Sequence, residues 1–216
     1  MLTHAAWEDL PGLRHGFLGR GDGPGPPWQI AGRSVAVPRQ VHGAHVVTVP
    51  AAEERPEADG VATAGPLVGV LTADCVPVLL VDPSRRAAAA VHAGWRGAAT
   101  GVLEAGIAHL AAAFGSRASD VEAVIGPAIG GRCYEVGPEV RDAFETRTGG
   151  VTAPAWTKHG ERWHVDLRQV ARCLLVAAGV GGVVVLGPCT RCAPEYHSYR
   201  RDGPNAGRQL SFVGWE

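Results

Sequence analysis

The sequence is short of the features that mark membrane, secreted and nucleic-acid-binding proteins. Polar residues interrupt its apolar runs before they reach the length of a bilayer-spanning helix. The N-terminus has no basic stretch followed by an apolar run, so no secretory signal is predicted. The formal net charge is −1, and no cluster of Lys and Arg is interleaved with aromatic residues. We therefore expect a cytoplasmic protein without nucleic-acid or membrane partners, and the sequence leaves its oligomeric state open.

The five cysteines are too few and odd in number, so they do not suggest a framework of disulfide bonds. A reducing compartment keeps thiols free, and a special cysteine there is expected to act as a metal ligand or a nucleophile. The cysteines are Cys75, Cys133, Cys173, Cys189 and Cys192.

The composition that remains is that of a globular chain. Of the 216 residues, 46 % are hydrophobic and 19 % are charged, which suits one domain predicted over residues 1–216. Glycine and proline predict a loop at 19–34. Predicted strands lie at 37–49, in two parts of 65–83, and at 87–95, 163–167 and 181–187. Predicted helices lie at 97–115, from Gly137-Pro138 onwards, and after an N-cap at Asp166. This alternation predicts an α+β fold with mixed sheets.

Three segments each place a reactive side chain where an apolar strand gives way to small or polar residues. They are QVHG, TADC and HAGWRG, and they contribute His42, Cys75 and His92. Two imidazoles and a thiolate suit Zn²⁺. Three protein ligands leave a fourth position open, which is the arrangement of catalytic zinc sites. The competing interpretation is a buried thiol and two histidines satisfied within the core.

The strings QVHG, TADCVPVLL, HAGWRG, GPAIGGRCYEVGPEV and SYRRDG occur in the order of the YfiH/DUF152 family, and the resemblance covers residues 12–213. That family carries the older label of multicopper polyphenol oxidase (laccase) and is regarded as a purine nucleoside phosphorylase family with adenosine deaminase side activity. The resemblance implies an α-β-β-α layered fold. It also implies metal ligation and catalysis by His42, Cys75 and His92, with a purine nucleoside and phosphate as substrates.

The chain departs from the family near its N-terminus. The family has a longer segment before QVHG, with an Asn-Arg pair whose arginine is thought to assist substrate binding. Here a short Gly/Pro-rich stretch takes its place, and Arg33 and Arg39 are the candidates to replace that arginine.

Substrate contacts are predicted around the three ligands. Arg96, Arg200 and Arg201 carry guanidinium groups that match phosphate oxygens, and the alternative is solvated or structurally paired arginines. Trp95 would stack on a base or pack as a buried structural residue. The predicted substrate-binding residues are Arg39, Gln40, Asp74, Arg96, Arg200 and Arg201.

Other polar residues give weaker signals. Asp74 would orient a ligand imidazole or cap its turn. The single Cys189-Thr-Arg-Cys192 pair is weak evidence for metal or redox chemistry and is interpreted as structural. Cys133 would border the site, and His197 would approach it.

Phosphorolysis of purine nucleosides with Zn²⁺ is the leading hypothesis. Adenosine deamination would need a carboxylate as proton shuttle, for which Asp74 and Glu135 are candidates. A metal-free hydrolase acting on cell-wall precursors would use Cys75 as nucleophile and His92 as base. A non-enzymatic binding protein with structural zinc would need a fourth protein ligand, such as Cys133 or His197.

Copper oxidase chemistry is disfavoured by the residues themselves. A blue-copper site often adds an axial methionine, and the single methionine is Met1. Multicopper oxidases carry His-x-His pairs, and the nine histidines form none.

Overall fold

The computed structural model describes residues 1–22, 26–49 and 55–216. The strands are β1 Leu13–Phe17, β2 Gln29–Ile30, β3 Arg33–Ser34, β4 Val46–Thr48, β5 Gly60–Thr63, β6 Val68–Thr72, β7 Val76–Asp82, β8 Ala87–Ala93, β9 Glu122–Ile125, β10 Glu135–Val136, β11 Trp156–His159, β12 Arg162–Val165, β13 Gly182–Val185 and β14 Gln209–Trp215. The helices are α1 Ala5–Glu8, α2 Trp95–Thr100, α3 Val102–Phe114, α4 Pro138–Thr148, α5 Leu167–Ala177 and α6 Tyr199–Asp202. No helix among the described residues is both long enough and apolar enough to cross a membrane.

A six-stranded sheet in the order β13-β9-β7-β8-β5-β4 forms the centre of the molecule. Strands β7 and β8 are antiparallel, with Val76 opposite Ala93, and every residue of both is buried. Alternate residues of β7 belong to two different cores, because both faces of the sheet are covered. This explains why these strands are continuous apolar runs rather than alternating ones.

Helices cover one face of the central sheet. In α3, Leu103, Ile107 and Leu110 are buried at helical spacing, and the helix ends at Gly115, whose φ is 72°. Helix α5 begins after Asp166, whose carboxylate accepts hydrogen bonds from the amides of Arg168 and Gln169. The predicted helix starts at Gly137-Pro138 and Asp166 are therefore confirmed.

The antiparallel sheet β1-β14-β6 covers the other face. Its inner side contributes Val70 and Val213 to the core shared with β7 and β8. Its outer side, with Leu210 and Phe212, packs against residues of the β2–β3 hairpin. A smaller antiparallel sheet, β10-β12-β11, contributes Val165 to the core on the helical side of the central sheet. The predicted α+β class with mixed sheets is confirmed.

Some predicted boundaries are wrong. The proposed strand at 37–49 is regular only over Val46–Thr48, because a buried carboxylate binds the amides of residues 41–43 and takes them from any sheet partner. The proposed helix at 97–115 is divided at Gly101, whose φ is 97°. The proposed buried strand at 181–187 is the half-buried edge strand β13. The predicted loop at 19–34 contains the β2–β3 hairpin, and residues 23–25 lie outside the described part of the chain.

Candidate metal centre and active site

His42, Cys75 and His92 come together at one end of the central sheet. Antiparallel pairing places the start of β7 beside the end of β8, so Cys75, just before β7, lies near His92. One potential ligand atom from each of the three residues lies within 4.8 Å of the other two. The site runs from the buried His92 through the half-buried Cys75 to the exposed His42, so it opens to solvent on the His42 side.

A carboxylate that the sequence analysis did not single out holds both histidines. Asp59 is fully buried, and its Oδ1 lies 2.8 Å from Nδ1 of His92. With a carboxylate as acceptor, Nδ1 carries a proton, so Nε2 is the nitrogen that a metal ion would bind in place of a proton. The only sequence signal for Asp59 is an acidic residue directly before the buried strand β5.

The same carboxylate shapes the turn that carries His42. Asp59 accepts hydrogen bonds from the amides of Val41, His42 and Gly43 at 3.2, 2.9 and 2.6 Å. These bonds hold His42 at a φ of 62°, a left-handed conformation that a residue with a side chain rarely adopts. Asp59 therefore acts as a positioning residue for both imidazoles.

Electrostatics at the three residues favour an ionised thiol. Burial would raise the pKa of Cys75, but hydrogen bonds and positive charge from His42 and His92 lower it to about 6. Burial would lower the pKa of His92, but hydrogen bonds to Asp59 and Cys75 and their negative charges raise it to about 9. Burial would likewise raise the pKa of the Asp59 carboxyl, and His92 with the turn amides lowers it. A thiolate beside two imidazoles is a donor set that fits Zn²⁺.

Glycines give the three side chains room. A Cβ on Gly94 would lie 3.0 Å from the ring of His42 and 3.2 Å from Sγ of Cys75. A Cβ on Gly97 would lie 2.8 Å from the carbonyl oxygen of Gly43, which would keep α2 away from the His42 turn. These contacts explain the glycines of HAGWRG in physical terms.

Tyr134, a second residue that the sequence analysis missed, is affected by the charges of Cys75 and of two arginines. Burial and the negative charge of Cys75 raise the pKa of Tyr134 to about 12, with Arg200 and Arg96 opposing the shift. The Arg200 guanidinium lies 5.0 Å from the Tyr134 ring centroid and donates to the carbonyl of Glu135. The Arg96 guanidinium covers one face of Trp95 at 4.4 Å. Arg96 and Arg200 are both exposed, so they can bind an anion from solvent.

Two other predicted substrate residues have structural contacts. The Gln40 side chain donates to the carbonyl of Leu71 and accepts from its amide, both at 2.8 Å, in the manner of a strand partner. Arg39 forms an ion pair with Glu57. A substrate contact for Gln40 or Arg39 stays a prediction.

Asp74 does not orient an imidazole, which corrects one of its two expected roles. Its carboxylate accepts hydrogen bonds from Thr190 and Ser198 and from the amide of Arg200, at 2.6, 3.0 and 2.6 Å. Asp59 takes the predicted orienting role because β5 pairs with β8 and brings it beside His92. Asp74 instead joins the turn before Cys75 to the C-terminal loop, which comprises residues 186–208 between β13 and β14 and includes α6.

Arg201 stabilises that loop from within. Its guanidinium donates to the Asp202 carboxylate and to the carbonyls of Thr190, Arg191, Ala193 and Tyr196. These contacts favour a structural role over phosphate binding.

Arg33, a proposed substitute for the family's arginine, pairs with Glu216.

The proposed fourth ligands lie elsewhere. Cys133 approaches Cys192, with 3.3 Å between the sulfur atoms, and the backbone amide of His197 donates to Gln209. His45 and His109 approach Glu57 and Thr48. Within the described residues, the group at the end of the central sheet therefore comprises three potential ligands.

Known proteins are similar to this chain over most of its length. A family model described as multi-copper polyphenol oxidoreductase laccase matches residues 28–216. "Purine nucleoside phosphorylase YfiH" of Shigella flexneri is 40 % identical over 178 residues, which cover 81 % of this chain and 71 % of the relative. A purine nucleoside phosphorylase of Clostridium acetobutylicum is 37 % identical over 185 residues, which cover 84 % and 77 % of the two chains. The crystal structure of a Neisseria meningitidis DUF152 protein superposes with a TM-score of 0.79 at 38 % identity, covering 86 % of this chain and 76 % of that one.

Proposed function

This chain belongs to the YfiH/DUF152 family, and we propose that it is a zinc-dependent purine nucleoside phosphorylase. The observation that carries the proposal is the convergence of His42, Cys75 and His92 at a solvent-open end of the sheet. The names of the relatives supply the substrate class, a purine nucleoside and phosphate, and the geometry supplies candidate groups for each.

Phosphorolysis breaks the bond between C1′ of the ribose and the purine nitrogen and forms a new bond from C1′ to a phosphate oxygen. The reaction needs phosphate held beside C1′ and a donor for the departing base, which leaves with the electron pair. Arg96 and Arg200 are the candidates to hold phosphate, because their side chains are exposed and the charges of both lower the pKa of Tyr134. The Tyr134 hydroxyl, protonated at neutral pH, is the candidate donor to the base.

The metal would be held by His42, Cys75 and His92. Zinc bound there would act as a Lewis acid that polarises a substrate oxygen. The chain's own residues orient these ligands. Asp59 keeps a proton on Nδ1 of His92 and holds the backbone conformation of His42. Gly94 leaves room between the ligand side chains.

The contacts of the candidate proton shuttles do not favour adenosine deamination. The Asp74 carboxylate is occupied by Thr190, Ser198 and the Arg200 amide. Glu135 is paired with Arg162 at 2.8 Å. Deaminase activity therefore stays a prediction that product analysis must test.

A Cys-dependent hydrolase is the second candidate, and one observation favours it. Asp59, His92 and Cys75 form a chain of contacts from carboxylate to imidazole to thiol, which is the order of an orienting acid, a base and a nucleophile. The position of His42 distinguishes the two proposals. A Cys–His dyad does not need a second imidazole beside the thiol, whereas a metal site uses that imidazole as a ligand.

A structural zinc in a non-enzymatic binding protein would have four protein ligands. Cys133 and His197, the proposed fourth ligands, do not belong to the group formed by His42, Cys75 and His92, which supports a catalytic site with an open position.

The test uses protein whose zinc and copper contents are measured. Inosine and adenosine are incubated with it, with and without phosphate, and the products are identified. We expect ribose 1-phosphate and free base only when phosphate is present. Ammonia from adenosine would indicate deamination. Formation of neither product would support the Cys-dependent hydrolase or the binding protein instead. Oxidation of a polyphenol by copper-loaded protein would support the older family label.

A further inference from the structure

A second group of sulfur atoms lies outside the site described above. The Sγ atoms of Cys133, Cys189 and Cys192 all lie within 4.8 Å of one another. Cys133 ends the turn Gly131–Cys133, whereas the other two belong to the C-terminal loop. The C-x-x-C pair that the sequence alone leaves isolated therefore has a third thiol as its neighbour.

The backbone holds both segments in place around the sulfur atoms. The amides of Cys192 and Ala193 donate to the carbonyl of Cys189 at 3.1 and 3.0 Å, so the C-x-x-C pair forms a tight turn. The amide of Thr190 donates to the carbonyl of Ala128 at 3.1 Å, which ties this turn to the other segment. The fold thus brings the three thiols together.

One sulfur atom also receives a backbone hydrogen bond. The amide of Gly130 donates to Sγ of Cys189 at 3.1 Å, and such a bond favours a thiolate over a thiol. A Cβ on Gly130 would lie 3.2 Å from the Cys189 side chain, so the glycine permits this close approach. Outer hydrogen bonds of this kind orient metal ligands and tune them.

Three adjacent thiols can all ionise only when a cation lies between them, because three thiolates so close together repel one another. Soft thiolates select Zn²⁺ or Cu⁺ over hard cations. We propose that Cys133, Cys189 and Cys192 form a second metal site, for a thiophilic cation and specifically Zn²⁺, with its fourth position facing the adjoining cavity. His159 and Gln169 line that cavity together with the three cysteines. The site does not depend on the proposed phosphorylase activity.

The metal would fasten the C-terminal loop close to the first site. Thr190, between the two cysteines of the pair, donates to Asp74 at 2.6 Å, and Asp74 precedes Cys75 in the chain. Arg201 donates to the carbonyls of Thr190 and Arg191. A cation at the three thiols therefore stabilises the loop that holds the turn before Cys75.

The experiment separates the two sites by substitution and is done on reduced, full-length protein under anaerobic conditions. Zn²⁺ binding is measured by competition with a chromogenic chelator. We expect the wild-type protein to bind two zinc ions and the Cys75→Ala protein to bind one. Adding Cys192→Ser to Cys75→Ala should weaken the remaining binding by more than about 100-fold, since loss of a direct ligand costs more than loss of an outer-shell partner. Adding Cys173→Ser, outside both groups, should leave it unchanged.

Co²⁺ provides a second measurement. The Cys75→Ala protein loaded with Co²⁺ should show thiolate-to-metal charge-transfer absorption in the near ultraviolet, and the added Cys192→Ser change should abolish most of it. Cys133→Ser replaces Cys192→Ser if the latter does not fold. Failure of reduced, folded Cys75→Ala protein to bind Zn²⁺ overturns the proposal. In that case, peptide mapping after exposure to air shows what the group does instead. A Cys133–Cys192 disulfide would identify it as a redox pair.

Discussion

Nδ1 of His92 lies 2.8 Å from Oδ1 of Asp59, and both side chains are almost completely buried. The amide of His92 also donates to the carbonyl of Asp59 at 2.7 Å. One aspartate thus fixes the backbone and the ring of one candidate ligand while its carboxylate binds the turn that carries the other histidine. The predictions below begin from this arrangement.

Asp59→Asn should lower the zinc affinity of the first site by about 10- to 100-fold, because the amide no longer orients the His92 ring as an anion does. A chelator-competition titration measures the change. Asp120→Asn is the matched control, since Asp120 pairs with Arg117 at the surface. Equal affinities for the Asp59→Asn and wild-type proteins would show that the carboxylate does not serve the metal.

Cys75→Ala should abolish both metal binding at the first site and nucleoside turnover. The thiol is the one potential sulfur ligand of that group, and the two imidazoles alone would give the metal too few protein ligands. Metal analysis and product analysis are done on the same preparation, with Cys173→Ala as the control. Full turnover by metal-free Cys75→Ala protein would refute the central proposal.

Gly94→Ala should weaken metal binding without unfolding the protein. The added methyl group would lie 3.0 Å from the His42 ring and 3.2 Å from the Cys75 sulfur, whereas the φ of −68° suits alanine. Overpacking of this kind costs about 1–3 kcal/mol, which corresponds to about a 5- to 150-fold loss of affinity. Gly65→Ala is the control, because a Cβ there meets nothing within 4 Å. An unchanged zinc affinity in Gly94→Ala would place the metal elsewhere.

Arg96→Gln and Arg200→Gln should each raise the KM for phosphate more than the KM for inosine. A hydrogen bond to a charged group contributes about 1.5–3 kcal/mol, so a change of about 10- to 150-fold is expected. Initial rates with each substrate varied in turn measure the effect. Arg14→Gln, which removes a surface partner of Glu216, should alter neither constant. Equal changes in both KM values would argue against phosphate contacts.

The stability of the protein should fall as the pH is lowered from about 7.5 to 5, and His15 should account for part of the loss. Burial is the main cause that lowers the pKa of His15. The amide of His4 donates to its Nε2 at 2.9 Å, and protonation of that nitrogen would break the bond. Because the folded pKa is below the unfolded one, the unfolded state binds more protons between the two values. Stability is therefore unaffected above the unfolded pKa and lost progressively below it.

Urea denaturation at several pH values tests this, with His15→Gln for comparison. The slope of the unfolding free energy should be smaller in the variant, by at most about 1.4 kcal/mol per pH unit for one group. Any loss of metal at low pH affects both proteins, so the difference between them isolates His15. Parallel pH profiles for the two proteins would contradict the prediction.

Strong local patterns were sufficient to predict much of the fold. The apolar runs of β7 and β8, the helical spacing in α3 and the N-cap Asp166 each depend on neighbours in the chain, and all were confirmed. The segment before β4 was mispredicted because its amides bond to Asp59, a partner that alternation cannot reveal.

From the sequence alone, the reactive residue types and their unusual strings were enough to single out His42, Cys75 and His92 as a candidate site. Only the tertiary structure could decide which carboxylate serves His92, that Asp74 and Arg201 engage the C-terminal loop, and that Cys133 joins Cys189 and Cys192. The physical reason is that side-chain chemistry belongs to each residue, whereas its partner is chosen by strand pairing and loop packing between distant segments.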